Sequence, residues 1–336
     1  MKKFLSLILA FACCLITLSF TACGASSGDI LIYSTAEQER ITFFNQELQK
    51  QFPDYNVYVE PIGTGELFTK LQNEGENTDC DIVHDVLVSN VEQLISENEN
   101  LFFDLSQYDF SIYVDSVTTY TSRHKKYAPT LKLDCALIVN TAKLSSLSLP
   151  IPDTYEDLTK SIYDGLISVP NPKTSGTGYC FYSGLVELMG ETDALDYIDR
   201  LSVNKRCDFT KSGSQILTDV NSGEKAIGIG MMYQGALYAS ENPNLMVKVL
   251  ENKAPYALYS MAMINGRETE EGVKEVFDYF YNTLVKADVE TFNLGKVYKD
   301  QAPITNPHIP TGYENITMSR EYDFEYKAYL LDKFTK

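Results

Sequence analysis

Between Asp29 and Ile95 the sequence passes three times from a strand pattern to a helix pattern, and that order leaves few folds open. Asp29-Ile30-Leu31-Ile32-Tyr33 is a nearly unbroken apolar run, as in a strand covered on both faces, and it ends at Ser34-Thr35. From Glu37 to Gln51 the apolar residues Ile41, Phe43, Phe44 and Leu48 recur at helical spacing, and Pro53 closes the segment. Asn56 to Pro61 alternates through Val57 and Val59 as a second strand, and Gly63-Thr64-Gly65-Glu66-Leu67 opens a helix that runs through Leu71. Asp81-Ile82-Val83 is a third strand ending at His84-Asp85, with helix signals from Val91 to Ile95. Parallel strands need crossovers of this kind, so the pattern implies an α/β fold with a mostly parallel sheet flanked by helices. Such sheets take ligands beyond the carboxyl ends of their strands, where loops enter helices. The candidate loops are Ser34-Thr35-Ala36-Glu37, Gly63-Thr64-Gly65 and His84-Asp85.

The second half repeats this logic without a detectable sequence repeat. Ala136 to Val139 reads as a strand and Asp153 to Leu166 as a helix. Ile167 to Pro170 is a β-type run; Asn171-Pro172-Lys173-Thr174-Ser175-Gly176-Thr177-Gly178 is a small-residue loop, and Tyr179 to Met189 is the next helix. The first N–H groups of a helix have no internal partner and the dipole is positive there, so a Ser/Thr/Gly loop at such an entrance suits an anion. Ser175 and Thr177 can equally be ordinary caps, while Gly176 and Gly178 let a ligand come close to the backbone. After a helix from Asp193 to Leu201, Lys211-Ser212-Gly213-Ser214 offers a second entrance of the same type, to a helix ending near Asn221. Ala226 to Ile229 is a strand that ends at Met231-Met232-Tyr233-Gln234. Leu245 to Leu250 and Tyr259 to Ile264 read as strands returning to the first lobe, Thr269 to Lys286 as an amphipathic helix, Ala302 to Tyr313 as loop, and Asp323 to Phe334 as a closing helix.

The N-terminus is of another kind. Met1-Lys2-Lys3, an uncharged apolar run from Phe4 to Phe20, and Thr21-Ala22-Cys23 form an export signal over residues 1–22, followed by a linker over 23–28. The cysteine after the small-residue site resembles a bacterial lipobox, which implies lipidation of Cys23 and anchoring to the outer face of the cell membrane. The net charge of −18 becomes more negative once Lys2 and Lys3 are removed. Nucleic acid is therefore excluded as a partner, whereas a local nest of N–H groups can still hold a small anion. Cys80, Cys135, Cys180 and Cys207 show no CxxC spacing, and only three histidines exist, so no metal site is expected; paired and free thiols both remain open. There is no GxSxG elbow, HExxH pair, Walker loop or dinucleotide fingerprint, which argues against an enzyme and against a cofactor.

Gly63-Thr64-Gly65-Glu66-Leu67, Asp81-Ile82-Val83, Asn171-Pro172 through Ser175-Gly176-Thr177-Gly178-Tyr179, and Lys211-Ser212-Gly213-Ser214 with Gly223-Glu224-Lys225-Ala226-Ile227-Gly228-Ile229 occur in an order that resembles ABC-transporter solute-binding lipoproteins. The resemblance is to the type II periplasmic binding fold that includes ferric-ion, sugar-phosphate and phosphonate binders. It implies two α/β lobes joined by two crossing strands: residues 29–132 with about 248–290, and residues 133–247 with about 291–336. It further implies a monomer that closes on its ligand without chemistry and delivers it to permease subunits. Ferric-ion binders carry adjacent tyrosines after the strand equivalent to Ala226–Ile229; here the loop reads Met231-Met232-Tyr233-Gln234 and no Tyr-Tyr pair exists. Iron therefore becomes the alternative, and an organophosphate such as a sugar phosphate or phosphonate the expected ligand. The candidate ligand-binding residues are Ser34, Thr35, Glu37, Gly63, Thr64, His84, Asp85, Ser175, Gly176, Thr177, Ser212, Gly213, Ser214, Tyr233 and Gln234. The second-lobe hydroxyls face the phosphate, and Glu37, His84 or Asp85 receive hydroxyls or an ammonium group.

Overall fold

Apolar strands and amphipathic helices of the first half form two consecutive βαβ units and a third helix in the computed structural model, which describes residues 28–117, 124–320 and 322–336. Strand β1 (Asp29–Ser34) pairs in parallel with β2 (Asn56–Pro61) and β3 (Ile82–Leu87). Helices α1 (Gln38–Gln51), α2 (Thr64–Glu74) and α3 (Val88–Glu97) follow them and bury Phe44, Leu48, Leu67, Leu71 and Val91 in the first core. Then comes β4 (Ala128–Asn140), thirteen residues long, and the short α4 (Thr141–Ser146). The second lobe continues with β5 (Ile167–Pro170), α5 (Gly176–Met189), α6 (Glu191–Ser202), β6 (Cys207–Thr210), α7 (Gly213–Asn221), β7 (Ile227–Met231), α8 (Met232–Glu241) and β8 (Leu245–Lys248). The chain ends through β9 (Lys253–Ala254), β10 (Tyr256–Met263), α9 (Val273–Tyr279), a π turn at Phe280–Leu284, α10 (Val285–Thr291), β11 (Glu314–Asn315) and α11 (Phe324–Lys333).

Strand β4 belongs to both lobes. Its residues 128–134 pair antiparallel with β10, which also pairs with β3, while residues 135–140 pair with β7 and β8. The chain crosses between lobes at Asp134-Cys135 and again at Ala254–Tyr256, and the Cys135 N–H donates to the Pro255 carbonyl at 2.8 Å. The joined sheet runs β2-β1-β3-β10-β4-β7-β5-β6.

Several sequence expectations change. Asp153–Leu166 is not an α-helix but two 3₁₀ turns, Glu156–Thr159 and Ser161–Tyr163. Asp157 accepts from the backbone of Asp153 and Thr154, and Thr154 accepts from that of Asp157, so side chains take the hydrogen bonds a helix would need. Leu245–Leu250 does not return to the first lobe: β8 lies beside β4, burying Leu245 and Val247 in the second lobe, and β10 makes the return. Residues 291–318 are divided between the lobes: Leu294, Val297, Tyr298, Ile316 and Met318 pack into the first core, whereas Ile309 and Tyr313 pack on Ala136, Met232 and Val247 of the second lobe. The terminal helix α11 joins the main core of the second lobe, through Leu330 with Phe334 just beyond it. Cys80, Cys135, Cys180 and Cys207 are buried thiols. Residues 1–27, with Cys23 and the export signal, lie outside the described residues, and no described helix is long and apolar enough to cross a membrane.

Candidate functional site

Helix starts from both lobes meet across a cleft of about 480 Å³. Among the described residues five helix N-termini open onto it: α1 through Glu37–Arg40 and α2 through Gly63-Thr64 on the first lobe, and α5 through Ser175–Thr177, α7 through Ser212–Ser214 and α8 through Met231 and Gln234 on the second. The second-lobe serines partly serve the chain itself. Ser175 Oγ accepts from the Gly178 N–H at 3.4 Å, and Ser212 Oγ accepts from the Gln215 N–H at 3.3 Å and lies 3.1 Å from Ser214 Oγ. Thr174 Oγ1 donates to the Lys211 carbonyl at 2.8 Å and ties the two loops together.

Thr177 is different. It is 3 % exposed, lines the cleft, and its Oγ1 has no hydrogen-bond partner. A Cβ on Gly213 would sit 2.8 Å from that oxygen, so the glycine is what lets the starts of α5 and α7 come together around it. Leaving a buried hydroxyl unpaired costs about 1–3 kcal/mol, a cost that a ligand acceptor or donor in the cleft removes. Gly178, by contrast, is not there for ligand approach: a Cβ would meet the Pro170 carbonyl oxygen at 2.4 Å, so it packs α5 onto β5.

The first-lobe wall is acidic around one guanidinium. Arg40, 1 % exposed, donates through Nε to Asp288 Oδ1 at 3.0 Å and through Nη2 to Asp288 Oδ2 at 2.5 Å; its Nη1 reaches Asp85 Oδ2 at 2.5 Å and Glu37 Oε2 at 3.5 Å. Three carboxylates thus share one cation in a site that water scarcely reaches. Burial alone would raise the Asp85 pKa, but Arg40 and the Thr130 hydroxyl at 2.7 Å hold it below the usual carboxylate value. Burial pushes Asp288 up to about 6 and Glu37 upward as well, against the pull of Arg40.

His84 and Asp85 are not in a loop at the strand end. They lie inside β3, where the pairing with β10 shifts register between Ser260 and Ala262 and Asp85 has φ 55°. That bulge is what brings Asp85 to the cleft. His84 does not line the cleft: it is fully buried beside Phe44 and Phe280, and burial lowers its pKa to about 4. Ser34 Oγ accepts from the Ala36 N–H at 3.1 Å and lies 3.0 Å from His84 Nδ1, so Ser34 and His84 shape the loop from beneath it. Tyr233 and Gln234 stand in the first turn of α8, because the helix follows β7 with no loop between. Tyr233 is buried and donates to Glu37 Oε2 at 2.5 Å; Gln234 Nε2 donates to Glu39 Oε1 at 3.1 Å. Both bonds join the second lobe to the first.

Residues 92–320 match the family model for bacterial extracellular solute-binding proteins. The chain belongs to this family. A curated relative of this solute-binding protein, an uncharacterised protein of Haemophilus influenzae, is 27% identical over 190 residues, 56% of this chain and 54% of that one, so the chain spans about half of its length. Among solved structures, the periplasmic binding protein P5PA superposes with a TM-score of 0.77 at 21% identity, covering 91% of this chain and 98% of that one. AfuA from Actinobacillus pleuropneumoniae, with fructose-6-phosphate bound, gives 0.77 at 20%, covering 92% and 98%. Iron-bound HitA from Pseudomonas aeruginosa gives 0.72 at 15%, covering 91% and 99%. At these identities the likeness establishes the type II periplasmic binding fold, two α/β lobes about a cleft.

Of the sequence candidates, Thr35, Glu37, Gly63, Thr64, Asp85, Ser175, Gly176, Thr177, Ser212, Gly213, Ser214 and Gln234 line the cleft of this solute-binding protein. Ser34, His84 and Tyr233 sit behind it. Sequence reasoning missed Arg40, Glu39 and Tyr259, which also line the cleft. A signal for Arg40 was present: it falls on the buried stripe of α1 with Ile41, Phe44 and Leu48, a place where a charge needs a partner.

Proposed function

We propose that this solute-binding protein captures a small organophosphate, such as a sugar phosphate or phosphonate, and delivers it to the permease of an ABC importer. The observation that carries the ligand class is Thr177 Oγ1, buried and unpaired between two helix N-termini that face the cleft. Backbone N–H groups of α5 and α7 with the hydroxyls of Thr177 and Ser214 suit phosphate oxygens without a guanidinium. The opposite wall, with Glu37, Glu39 and Asp85, suits the hydroxyls or ammonium of the ligand's other end. Arg40 is committed to Asp288 and Asp85, which leaves it little to offer a second anion. The protein binds without catalysis and works as a monomer, held by the lipid on Cys23 at the outer face of the membrane; globomycin is expected to make the unprocessed precursor accumulate.

Fe(III) is the alternative, and the donor set disfavours it. Among the described residues no three His, Cys, Asp or Glu side chains group as metal ligands, and the cleft acids surround Arg40. Isothermal titration of the delipidated protein with glucose 6-phosphate, 2-aminoethylphosphonate, glycerol phosphates and Fe(III) is expected to show one organophosphate binding at micromolar or better. Binding of Fe(III) alone, with a visible tyrosinate band, overturns the reading.

A further inference from the structure

Two of the four buried thiols come together where the chain crosses between the lobes, and ligand capture makes no use of them. Cys135 is the residue at which β4 passes from pairing with β10 to pairing with β7, and Cys180 lies near the start of α5. The contacts of α5 show which of its faces is turned to the crossing. The Thr177 carbonyl accepts from Cys135 Sγ at 3.7 Å. Further along, a Cβ on Gly184 would sit 2.5 Å from Pro255 Cβ, so the helix runs close against the second crossing, whose Pro255 carbonyl takes the Cys135 N–H. Thr177, Cys180 and Gly184 stand at i, i+3 and i+7, on one helix face. A helical side chain leans towards the helix N-terminus, which carries the Cys180 thiol back over the Thr177 peptide, where Cys135 Sγ already is. Both sulfurs are also near enough to the Tyr155 and Tyr259 phenols to act on them electrostatically. The other two thiols are placed differently. Cys80 sits beside Thr78 ahead of β3 and Cys207 at the start of β6, and burial pushes both up to about 12, which keeps them from forming the reactive thiolate.

We propose that Cys135 and Cys180 are a redox-active pair that closes to a disulfide outside the cell and ties the crossing strand β4 to the start of α5. Disulfides persist in the oxidising space that extracellular solute-binding proteins occupy. One thiolate attacks a small-molecule or oxidoreductase disulfide to give a mixed disulfide, and the second thiolate displaces it. Two S–H bonds are lost and one S–S bond forms; the oxidant leaves as two thiols that carry the two protons and two electrons. Both cysteines are buried, so the exchange takes place while the chain folds or the lobes part. The bridge holds the helix that carries Thr177 to the crossing, whatever the cleft binds.

The test is to refold the mature protein from denaturant in a buffer of reduced and oxidised glutathione, where burial does not keep the oxidant out. Thiols are then alkylated under denaturing conditions and mapped by mass spectrometry. The expected result is a peptide pair cross-linked through Cys135 and Cys180, with Cys80 and Cys207 alkylated. The cross-linked protein is expected to melt about 5 °C above the reduced one. Cys180→Ala is expected to return Cys135 to the alkylated fraction and to abolish the difference in melting temperature between oxidising and reducing buffers. Alkylation of all four thiols, glutathione adducts on Cys135 or Cys180 without the cross-link, or a cross-link through Cys80 or Cys207 overturns the pairing.

Discussion

Thr177 and Ser212 look alike in sequence and differ in what their hydroxyls do. Ser212 caps α7 on Gln215, whereas Thr177 Oγ1 has no protein partner to lose. Thr177→Ala is therefore expected to leave the melting temperature of the ligand-free protein nearly unchanged and to weaken organophosphate binding about 10- to 100-fold, the value of one hydrogen bond to a charged group. Ser212→Ala is expected to lower affinity and also cost about 1 kcal/mol of stability as a lost cap. Calorimetry and thermal melts on both variants decide this; equal destabilisation would leave both hydroxyls as caps. A second pair of residues sets the pH response. Asp288, raised to about 6 from a carboxylate's ordinary value near 4, contributes stability that is present at low pH and lost as pH rises through about 4 to 6. His84, lowered to about 4, does the reverse: its contribution is lost as pH falls from about 6.5 towards 4. The two oppose each other. Asp288→Asn removes one, so its melting temperature is expected to fall more steeply than wild type between pH 6.5 and 4.5; parallel curves would refute the assignment.

At the scale of elements, the site is made by helix starts, and these were the parts most legible in the sequence. Ser175-Gly176-Thr177 and Ser212-Gly213-Ser214 were readable because capping is a local matter of a few residues. The other jaw was not. Arg40 and Asp288 are 248 residues apart, and each is visible only as a charge on an apolar helical stripe, beside Ile41 and Phe44 in one case and Val285 and Val289 in the other. The bulge at His84-Asp85 also escaped, since Ile82-Val83-His84-Asp85-Val86-Leu87 reads locally as a strand that has ended, and only the pairing with β10 shows that it continues. Gly176 offers a test of how the elements meet. A Cβ there would come 2.6 Å from the Tyr259 hydroxyl and 3.4 Å from Leu87 Cδ1, both on the first lobe. Gly176→Ala is thus expected to wedge the jaws apart, weakening ligand binding at least tenfold while changing the apo melting temperature by no more than a few degrees. Unchanged affinity would show that the jaws close differently.

For the whole molecule, the two-lobe reading held because alternation of strand and helix dictates it, while the lobe boundaries shifted because the long loop after α10 gives no periodic signal. Leu294, Val297 and Tyr298 are apolar residues in a stretch too irregular to assign before packing is seen. Tyr233 to Glu37 and Gln234 to Glu39 hold the lobes together across the cleft. Removing both, with Tyr233→Phe and Gln234→Ala, is expected to expand the ligand-free protein in small-angle scattering while the ligand-bound form stays compact. No change in either would mean that these bonds do not govern closure.

The path of β10 has a consequence for the order in which the chain acquires structure. The first core needs β10 and α9 to α10, which arrive after residue 255, whereas the second core is nearly complete by residue 250. As the ribosome delivers the chain, β1 to β3 must therefore wait unfinished for partners about 170 residues away, and closing so long a loop is slow. Pulse-labelled hydrogen exchange during refolding is expected to protect β5 and β7 before β1 and β3.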